Sequence, residues 1–174
     1  ETPKLLKTRE ASKKLQEIIK FTEGDKALDI ACGAGKNSIF LAENNFKVES
    51  LDISKVALDV LKEKKYLNIT TTLTDLDGYT PIENTYDLII MTNYLDREII
   101  PKLAKALTIN GILFIETYMN HISNTKKSSN SNYLLKEGEL KTFFDKNYRV
   151  IDYSEFDNES YELFRMKKQS ISVQ

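Results

Sequence analysis

The sequence predicts an α/β fold in which helices cover both faces of a doubly wound, mostly parallel sheet of seven strands. Short apolar runs alternate with amphipathic helical patterns along most of the chain, which is typical of repeated βα units. Residues 87–91 are almost entirely apolar, as expected of a strand that is covered on both faces. The last two strand patterns have no helix between them and therefore predict an antiparallel C-terminal hairpin.

The first half of the chain contains three strand patterns that alternate with helices. An N-terminal helix is predicted over residues 1–22, with an apolar face formed by Ala11, Leu15, Ile18 and Ile19. Strands are predicted at residues 26–30, 46–52 and 69–74. Two helices are predicted between them, at residues 36–43 and 55–65, and Ser54 is well placed to cap the second.

The second half continues the alternation and then becomes less regular. Strands are predicted at residues 87–91 and 112–116, on either side of a helix that Asn110-Gly111 terminates. Residues 120–132 are polar and predict a mobile loop, and residues 134–144 predict a helix. The hairpin strands are predicted at residues 149–155 and 161–166, and residues 167–174 read as a frayed polar tail.

Composition limits the class of protein. The chain has 174 residues, a size that predicts a single domain spanning residues 1–174. Its net charge of -1 argues against nucleic acid or an anionic membrane as a partner. One cysteine and one histidine predict neither a disulfide nor a metal site. Because no apolar run approaches the roughly 18 residues that span a bilayer, we expect a cytoplasmic protein. We also expect either a monomer or a weak homodimer.

A glycine-containing turn follows the first predicted strand. Residues 29–35 read DIACGAG, and Gly33 and Gly35 allow positive φ and the close approach of a ligand to the backbone. The second strand ends in Asp52, 17 residues after Gly35, where an acidic side chain meets a ribose diol in such folds. The two features predict a nucleotide-like ligand at the carboxyl edge of the sheet.

The details of the turn favour S-adenosylmethionine over NAD. A dinucleotide site has a third glycine, but the chain has Ser38 at that position. The carboxylate of Asp29, four residues before Gly33, would repel a pyrophosphate and would suit a cationic amino-acid tail. An NAD-dependent oxidoreductase is therefore disfavoured.

Residues 27–35 (ALDIACGAG) and 48–54 (VESLDIS) resemble the class I S-adenosylmethionine-dependent methyltransferases, which have a Rossmann-like fold. Three further segments are similar to the small bacterial branch near the tellurite-resistance methyltransferases: KNSIFLA at 36–42, NYLDR at 93–97 and YLLKEGEL at 133–140. Ala31 stands where the common pattern of the turn has its first glycine. The resemblance covers nearly the whole chain.

The resemblance implies nine cofactor-binding residues, in the turn and at the ends of strands two, three and four: Asp29, Ala31, Gly33, Gly35, Asp52, Ile53, Asp75, Leu76 and Asn93. It implies that Asp29 lies near the methionine amino group, that Asp52 binds the ribose hydroxyls and that Asp75 lies near the adenine amino group. Ile53 and Leu76 would pack beside adenine. Asp52 and Asp75 also have an alternative interpretation as ordinary turn-forming residues at strand ends.

Four candidate acceptor-binding residues follow the fourth and fifth strands: Arg97, Tyr118, His121 and Tyr133. Their side chains suit an anionic acceptor. No general base is evident, which favours a soft nucleophile such as a thiol or a metalloid oxyanion, and no catalytic residue is assigned. The alternatives are that Arg97 only begins a surface helix, that His121 is an idle loop residue, and that the protein is a non-catalytic binder of S-adenosylmethionine or a nucleoside.

Overall fold

A computed structural model describes residues 10–126, 130–159 and 162–174. Its helices are α1 (Lys13–Ile18), α2 (Lys36–Glu43), α3 (Lys55–Glu63) and α4 (Ile100–Ala106). Its strands are β1 (Lys26–Ile30), β2 (Lys47–Asp52), β3 (Ile69–Leu73), β4 (Tyr86–Thr92), β5 (Leu107–Tyr118), β6 (Val150–Asp157) and β7 (Lys167–Val173). Short 3-10 helices span Ile19–Phe21, Ser131–Tyr133 and Glu139–Phe143.

The seven strands form one sheet in the order β3-β2-β1-β4-β5-β7-β6. β1 to β5 are parallel, whereas β7 pairs antiparallel with both β5 and β6. The prediction of a mostly parallel sheet with an antiparallel C-terminal pair is therefore confirmed. The chain reverses its direction of winding between β1 and β4, so the carboxyl ends of these two strands form the edge where doubly wound sheets bind ligands.

Two apolar layers confirm that helices cover both faces of the sheet. On one face, Leu15 and Ile18 of α1 and Leu41 of α2 pack with Ile90 and Phe114 of the sheet. On the other face, Leu103 of α4 packs in a second cluster of buried residues with Leu28, Ile89, Met91 and Leu113 of the sheet. Successive buried residues of the central strands point to opposite faces of the sheet and so contribute to both layers.

The predicted cap of α3 is confirmed, and the N-terminal helix is shorter than predicted. The Ser54 hydroxyl accepts a hydrogen bond from the Ala57 N–H at 3.2 Å. The predicted helix over residues 1–22 is an α-helix only at Lys13–Ile18, with Ser12 as its N-cap; residues 1–9 lie outside the described residues. Part of the predicted loop at 120–132 also lies outside them, and its mobility stays a prediction.

The helix predicted at residues 134–144 is wrong. Leu135 is extended instead, and its N–H donates to the Tyr118 carbonyl at 3.1 Å. Gly138 adopts a φ of 69°, which breaks a right-handed helix, and only the 3-10 helix Glu139–Phe143 follows it. Pairing with the end of β5 has overridden the local helical pattern.

The frayed tail predicted at residues 167–174 is also wrong, because β7 occupies most of it. β7 lies between β5 and β6, and its Ile171 and Val173 are completely buried. The strand predicted at 161–166 therefore lies too early in the sequence. Several polar side chains of β7, such as Gln169, are buried. Because polar residues are usually exposed, the sequence of this strand resembles that of a solvated tail.

The end of α4 is a smaller correction. The helix ends at Ala106, and the Asn110-Gly111 pair that was predicted to stop it lies within β5. Asn110 has a φ of 64°, and the pairing of β4 with β5 shifts register between Tyr86 and Leu88. No helix in the described part of the chain has the length and hydropathy to cross a bilayer.

Candidate active site

The turn after β1 contains two glycines that meet different surroundings. Gly35 has a φ of 88°, and a Cβ placed on it would lie 2.5 Å from Leu61 Cδ1 of α3. Gly33 has a φ of 58°, and a Cβ placed there would meet nothing within 4 Å. Gly35 therefore packs the turn against α3, whereas Gly33 leaves open space that a ligand can approach.

We expect Gly35→Ala to destabilise the protein more than Gly33→Ala. Both variants force alanine into a left-handed conformation, but only Gly35→Ala also displaces Leu61. The free energy of unfolding should fall by about 1–3 kcal/mol for Gly35→Ala and by about 1 kcal/mol for Gly33→Ala. Urea unfolding measures both values, and a larger loss at Gly33 would contradict this assignment.

Asp52 joins the turn to the start of α3. Its Oδ2 accepts a hydrogen bond from the Gly33 N–H at 2.8 Å, and its Oδ1 accepts one from the Ser54 N–H at 2.8 Å. Each carboxylate oxygen can accept a further hydrogen bond, so the fixed carboxylate suits the two hydroxyls of a ribose. Ile53 next to it is 68% exposed, which leaves an apolar surface beside this acid.

Asp29 is a buried carboxyl with an unsatisfied oxygen. Its Oδ2 accepts a hydrogen bond from the Ser38 hydroxyl at 2.6 Å, and the Ser38 and Ser50 hydroxyls are also 2.6 Å apart. Among the described residues, its Oδ1 has no hydrogen-bond partner. Burial, aided by the charge of Asp52, raises the pKa of Asp29 to about 7. Such an oxygen fits a ligand that supplies a cationic donor, as the amino group of S-adenosylmethionine would.

The end of β4 is connected to α2 beside the turn. Asn37 of α2 donates a hydrogen bond to the Thr92 hydroxyl at 2.9 Å. The next residue, Asn93, has a φ of 54°, and its N–H donates to the Glu116 carbonyl at 2.8 Å. The backbone of Asn93 is therefore fixed at the switch point, while its side chain remains exposed.

The two predicted residues after β3 have different surroundings. Asp75 is exposed, and its Oδ1 accepts a hydrogen bond from the Asp77 N–H at 3.0 Å, which is the geometry of a turn-forming aspartate. Leu76 is buried at the base of the sheet edge, with 7% of its surface exposed. Leu76 therefore contributes an apolar side chain to this edge of the sheet. Asp75 stabilises the turn that follows β3.

A cavity of about 830 Å³ opens at this edge of the sheet. The segments after β3, β4 and β5 and the 3-10 helix Ser131–Tyr133 form its walls. Two predicted cofactor residues, Leu76 and Asn93, line it together with three predicted acceptor residues, Arg97, Tyr118 and Tyr133. The residues that line the cavity do not include the turn at 29–35, and the lining residue Asn93 directly follows Thr92, which is hydrogen-bonded to Asn37 of α2.

Arg97 is engaged by the wall of the cavity. Its Nε and Nη2 donate to the two carboxylate oxygens of Glu139 at 2.6 and 3.0 Å. Its Nη1 and Nη2 also donate to the Asn132 and Leu134 carbonyls at 2.6 and 3.0 Å. The hydrogen bonds from Arg97 lower the pKa of Glu139, so both groups are charged. Arg97 thus holds the segment that carries Tyr133, and it is more than the start of a surface helix.

We expect Arg97→Ala to lower the melting temperature by about 2–8 °C, because it removes the ion pair with Glu139 and frees two carbonyls. Arg165→Ala is the matched control. Its guanidinium pairs with Asp157 at 3.0 Å, but both side chains are more than 40% exposed, so Arg165→Ala should lower the melting temperature less than Arg97→Ala does. Equal shifts in thermal unfolding would contradict the structural role of Arg97.

The other predicted acceptor residues separate into two groups. The Tyr118 hydroxyl donates to Glu162 Oε2 at 2.9 Å, and Tyr133 is 66% exposed at the rim of the cavity. His121 does not line the cavity; its Nδ1 accepts a hydrogen bond from the Ser123 N–H at 3.1 Å in a local turn. The structure therefore brings Arg97, Tyr118 and Tyr133 together and leaves His121 outside.

Sequence reasoning missed eight polar residues that line the cavity: Asp77, Tyr79, Tyr94, Asp96, Glu98, Lys102, Thr117 and Asn132. Tyr94 and Asp96 belong to the same NYLDR segment as Arg97, so proximity to Arg97 was an available signal. It also missed Ser12, whose hydroxyl donates to Glu116 Oε1 at 2.9 Å and fastens the start of α1 to β5. No sequence pattern indicated that contact.

The fold is shared with proteins that are described as S-adenosylmethionine-dependent methyltransferases. Residues 3–171 match the model of the family described as "Tellurite resistance protein TehB". The chain belongs to the TehB family.

Individual relatives agree with this membership. The chain is 30% identical over 140 residues to a Haemophilus influenzae protein described as "Probable S-adenosyl-L-methionine-dependent methyltransferase TehB". The matched region is 75% of this chain and 48% of that protein. The chain therefore spans about half the length of this relative. The crystal structure of Haemophilus influenzae TehB matches with a TM-score of 0.77 and 26% identity, over 94% of this chain and 62% of that chain. A methyltransferase structure from Methanosarcina mazei, with a TM-score of 0.74, 16% identity and coverage of 95% and 98%, shares the fold.

Proposed function

We propose that this chain transfers a methyl group from S-adenosylmethionine to a small-molecule acceptor, a thiol or a metalloid oxyanion, by in-line displacement. The observation that carries the proposal is the position of Asn93, which lines the 830 Å³ cavity and directly follows Thr92. The Thr92 hydroxyl accepts a hydrogen bond from Asn37 of α2, the helix that begins directly after the turn. A methyl donor at the turn and an acceptor in the cavity would meet there. The volume is within the ordinary range of small-molecule sites, about 300–1,000 Å³.

The residues proposed to hold the cofactor come from four strand ends: Asp29, Ala31, Gly33, Gly35, Asp52, Ile53, Asp75, Leu76 and Asn93. S-adenosylmethionine supplies an activated methyl group on its sulfonium sulfur. Because the methyl group is already activated, the contribution of the chain is to orient the donor and the acceptor and to exclude water. The unpartnered Asp29 Oδ1 and the open space at Gly33 support this assignment.

The proposed acceptor residues do not include an assigned base. A soft anionic nucleophile needs none at neutral pH, and the tellurite-resistance description of the family supports an acceptor of that kind. Among the described residues, no three histidine, cysteine, aspartate or glutamate side chains are grouped so that they could hold a metal ion. A partner other than a small molecule is not part of the proposal, and the oligomeric state stays a prediction.

Thermal unfolding with S-adenosylhomocysteine tests the proposal. At a hundredfold excess of ligand over its dissociation constant, binding should stabilise the protein by about 2.7 kcal/mol and raise the melting temperature by about 5–11 °C. NADH at the same concentration is the control and should leave the melting temperature unchanged. An unshifted curve with saturating S-adenosylhomocysteine would overturn the proposed function.

A further inference from the structure

We infer that binding of S-adenosylmethionine expels a proton from Asp29, and that the hydroxyls of Ser38 and Ser50 are the positioning groups that allow this exchange. The inference rests on the proposed function, which places the amino group of the cofactor beside the carboxyl of Asp29. It is carried by the geometry around Asp29, which belongs to β1 and is only 1% exposed.

Asp29 is a neutral acid in the cofactor-free protein below pH 7. Its Oδ1 is buried and, among the described residues, has no hydrogen-bond partner. A carboxylate in this position would be a buried charge with one unsatisfied oxygen, which costs free energy that protonation avoids. Burial accordingly raises the pKa of Asp29 to about 7, although hydrogen bonds from Ser38 oppose the shift.

The two serines accommodate both protonation states of Asp29. The Ser38 hydroxyl donates to Asp29 Oδ2 at 2.6 Å, and the hydroxyl oxygens of Ser38 and Ser50 are also 2.6 Å apart. A hydroxyl both donates and accepts, so Ser38 can donate to the carboxylate and can accept from the protonated carboxyl. The serines therefore hold Oδ2 in either state, and Oδ1 remains for the ligand.

Charged groups act on Asp29 from two neighbouring elements. Asp52 at the end of β2 raises the pKa of Asp29, and Lys36 at the start of α2 lowers it. The other adjacent strand, β4, pairs Asp29 with the apolar Ile90. Burial, aided by the charges of Asp29 and Asp52, raises the pKa of the Cys32 thiol in the turn, so this thiol keeps its proton. The proton that is expelled near neutral pH is therefore assigned to Asp29.

The exchange balances in protons and in charge. The carboxyl group of Asp29 gives its proton to water. The ammonium group of the cofactor keeps its three hydrogens and donates one of them to Oδ1, so a neutral acid becomes a carboxylate that is paired with a cation. This pairing favours the ionised form, because hydrogen bonds between ionised groups are roughly twice as strong as those between neutral groups.

Calorimetric titration of the wild type with S-adenosylhomocysteine, which has the same amino-acid tail, tests the exchange. Titrations at pH 6 in two buffers of different ionisation enthalpy count the protons released. With a pKa of about 7 for Asp29, we expect about 0.9 proton per ligand bound. The apparent Kd should be about tenfold larger at pH 6 than at pH 8, because only the ionised fraction of the protein is competent to bind.

Methylthioadenosine is the matched ligand control. It has the adenine, the ribose and a thioether but no amino-acid tail, so it cannot pair with Asp29 although it can meet Asp52. Its binding should release no proton, and its Kd should change by less than about twofold between pH 6 and pH 8. The comparison of the two ligands uses the wild type alone and does not depend on any variant.

Variants assign the proton and the positioning role to particular side chains. Asp29→Asn should release no proton with S-adenosylhomocysteine, and its affinity should not depend on pH. Ser38→Ala removes a hydrogen bond that favours the carboxylate, so the affinity should reach half of its maximum at a higher pH than in the wild type. Ser50→Ala should shift this pH in the same direction by less, since Ser50 acts through Ser38.

Two control variants remove ionisable groups outside the site. Asp25→Asn removes an exposed carboxylate. His121→Asn removes the single histidine of the chain, a residue type whose charge changes near neutral pH. Both variants should keep the proton count and the pH profile of the wild type.

The outcomes separate this inference from the proposed function. Binding of S-adenosylhomocysteine with no proton release and no dependence on pH overturns the inference and leaves the proposed function intact. Equal proton release with methylthioadenosine, or with Asp29→Asn, overturns it as well. A Ser38→Ala profile that coincides with that of the wild type overturns the role of the serines. Failure to bind S-adenosylhomocysteine anywhere between pH 6 and pH 8 overturns the proposed function.

Discussion

The cofactor-free protein is expected to lose stability as the pH rises from 4 to 7, because across this range Asp29 releases its proton in the unfolded chain and retains it in the folded chain. Burial raises the pKa of Asp29 from an ordinary value of 3.8 to about 7 in the folded chain. The folded state therefore binds this proton more tightly than the unfolded state does. The resulting stability is fully present below pH 3.8 and is lost as the pH rises to about 7, and its loss amounts to about 4 kcal/mol.

Urea unfolding of the wild type and of Asp29→Asn across this pH range isolates the contribution of Asp29. Asparagine retains an oxygen for the Ser38 hydroxyl but has no proton to release, so the variant should lose less stability as the pH rises. Asp25→Asn is the control, since Asp25 is exposed and its contact with Lys47 at 3.7 Å is solvated. Parallel pH profiles of the wild type and Asp29→Asn would contradict a raised pKa.

Asp52→Ala is expected to weaken the binding of S-adenosylhomocysteine by roughly ten- to a hundredfold in a protein that still folds. The side chain is proposed to accept hydrogen bonds from ribose hydroxyls, each worth about 1.5–3 kcal/mol when the acceptor is charged. Its removal also frees the Gly33 and Ser54 N–H groups, which loosens the turn. Calorimetric titration measures the affinity, and circular dichroism confirms the fold.

Two further variants make the Asp52 result interpretable. Asp52→Asn retains one oxygen acceptor and should show an intermediate loss of affinity. Asp59→Ala removes an aspartate of α3 whose carboxylate pairs with Lys55 at 2.7 Å on the exposed surface, and it should bind as the wild type does. Wild-type affinity in a folded Asp52→Ala protein would mean that Asp52 serves only the turn.

The parallel part of the sheet was predictable because its strands are short apolar or β-branched runs, most of which are separated by clear helical patterns. β7 was not, since its buried Lys168, Gln169 and Ser170 resemble a solvated tail in sequence. Their burial depends on tertiary partners: Gln169 accepts a hydrogen bond from the Leu140 N–H at 2.8 Å, 29 residues away in the chain. The same limit explains the missing helix at 134–144, whose Leu135 pairs with the end of β5.

In the candidate site too, features set by local sequence were predictable, and features set by contacts distant in the chain were not. The turn at Gly33 and Gly35 was predictable because backbone conformations with positive φ leave a local mark on the sequence. The role of Arg97 was not, because it depends on Glu139, which lies 42 residues away. A basic residue near a site can bind an anionic ligand or be neutralised by a distant acid, and only the fold distinguishes the two.

The position of β7 has a consequence for the order in which the sheet assembles. β6 is an edge strand whose neighbour in the sheet is β7, yet β7 is synthesised after it. On the ribosome, the β6 segment therefore emerges before the strand that connects it to β5. β1 to β5 can therefore pair as they are translated, whereas β6 has no partner in the sheet until β7 has emerged.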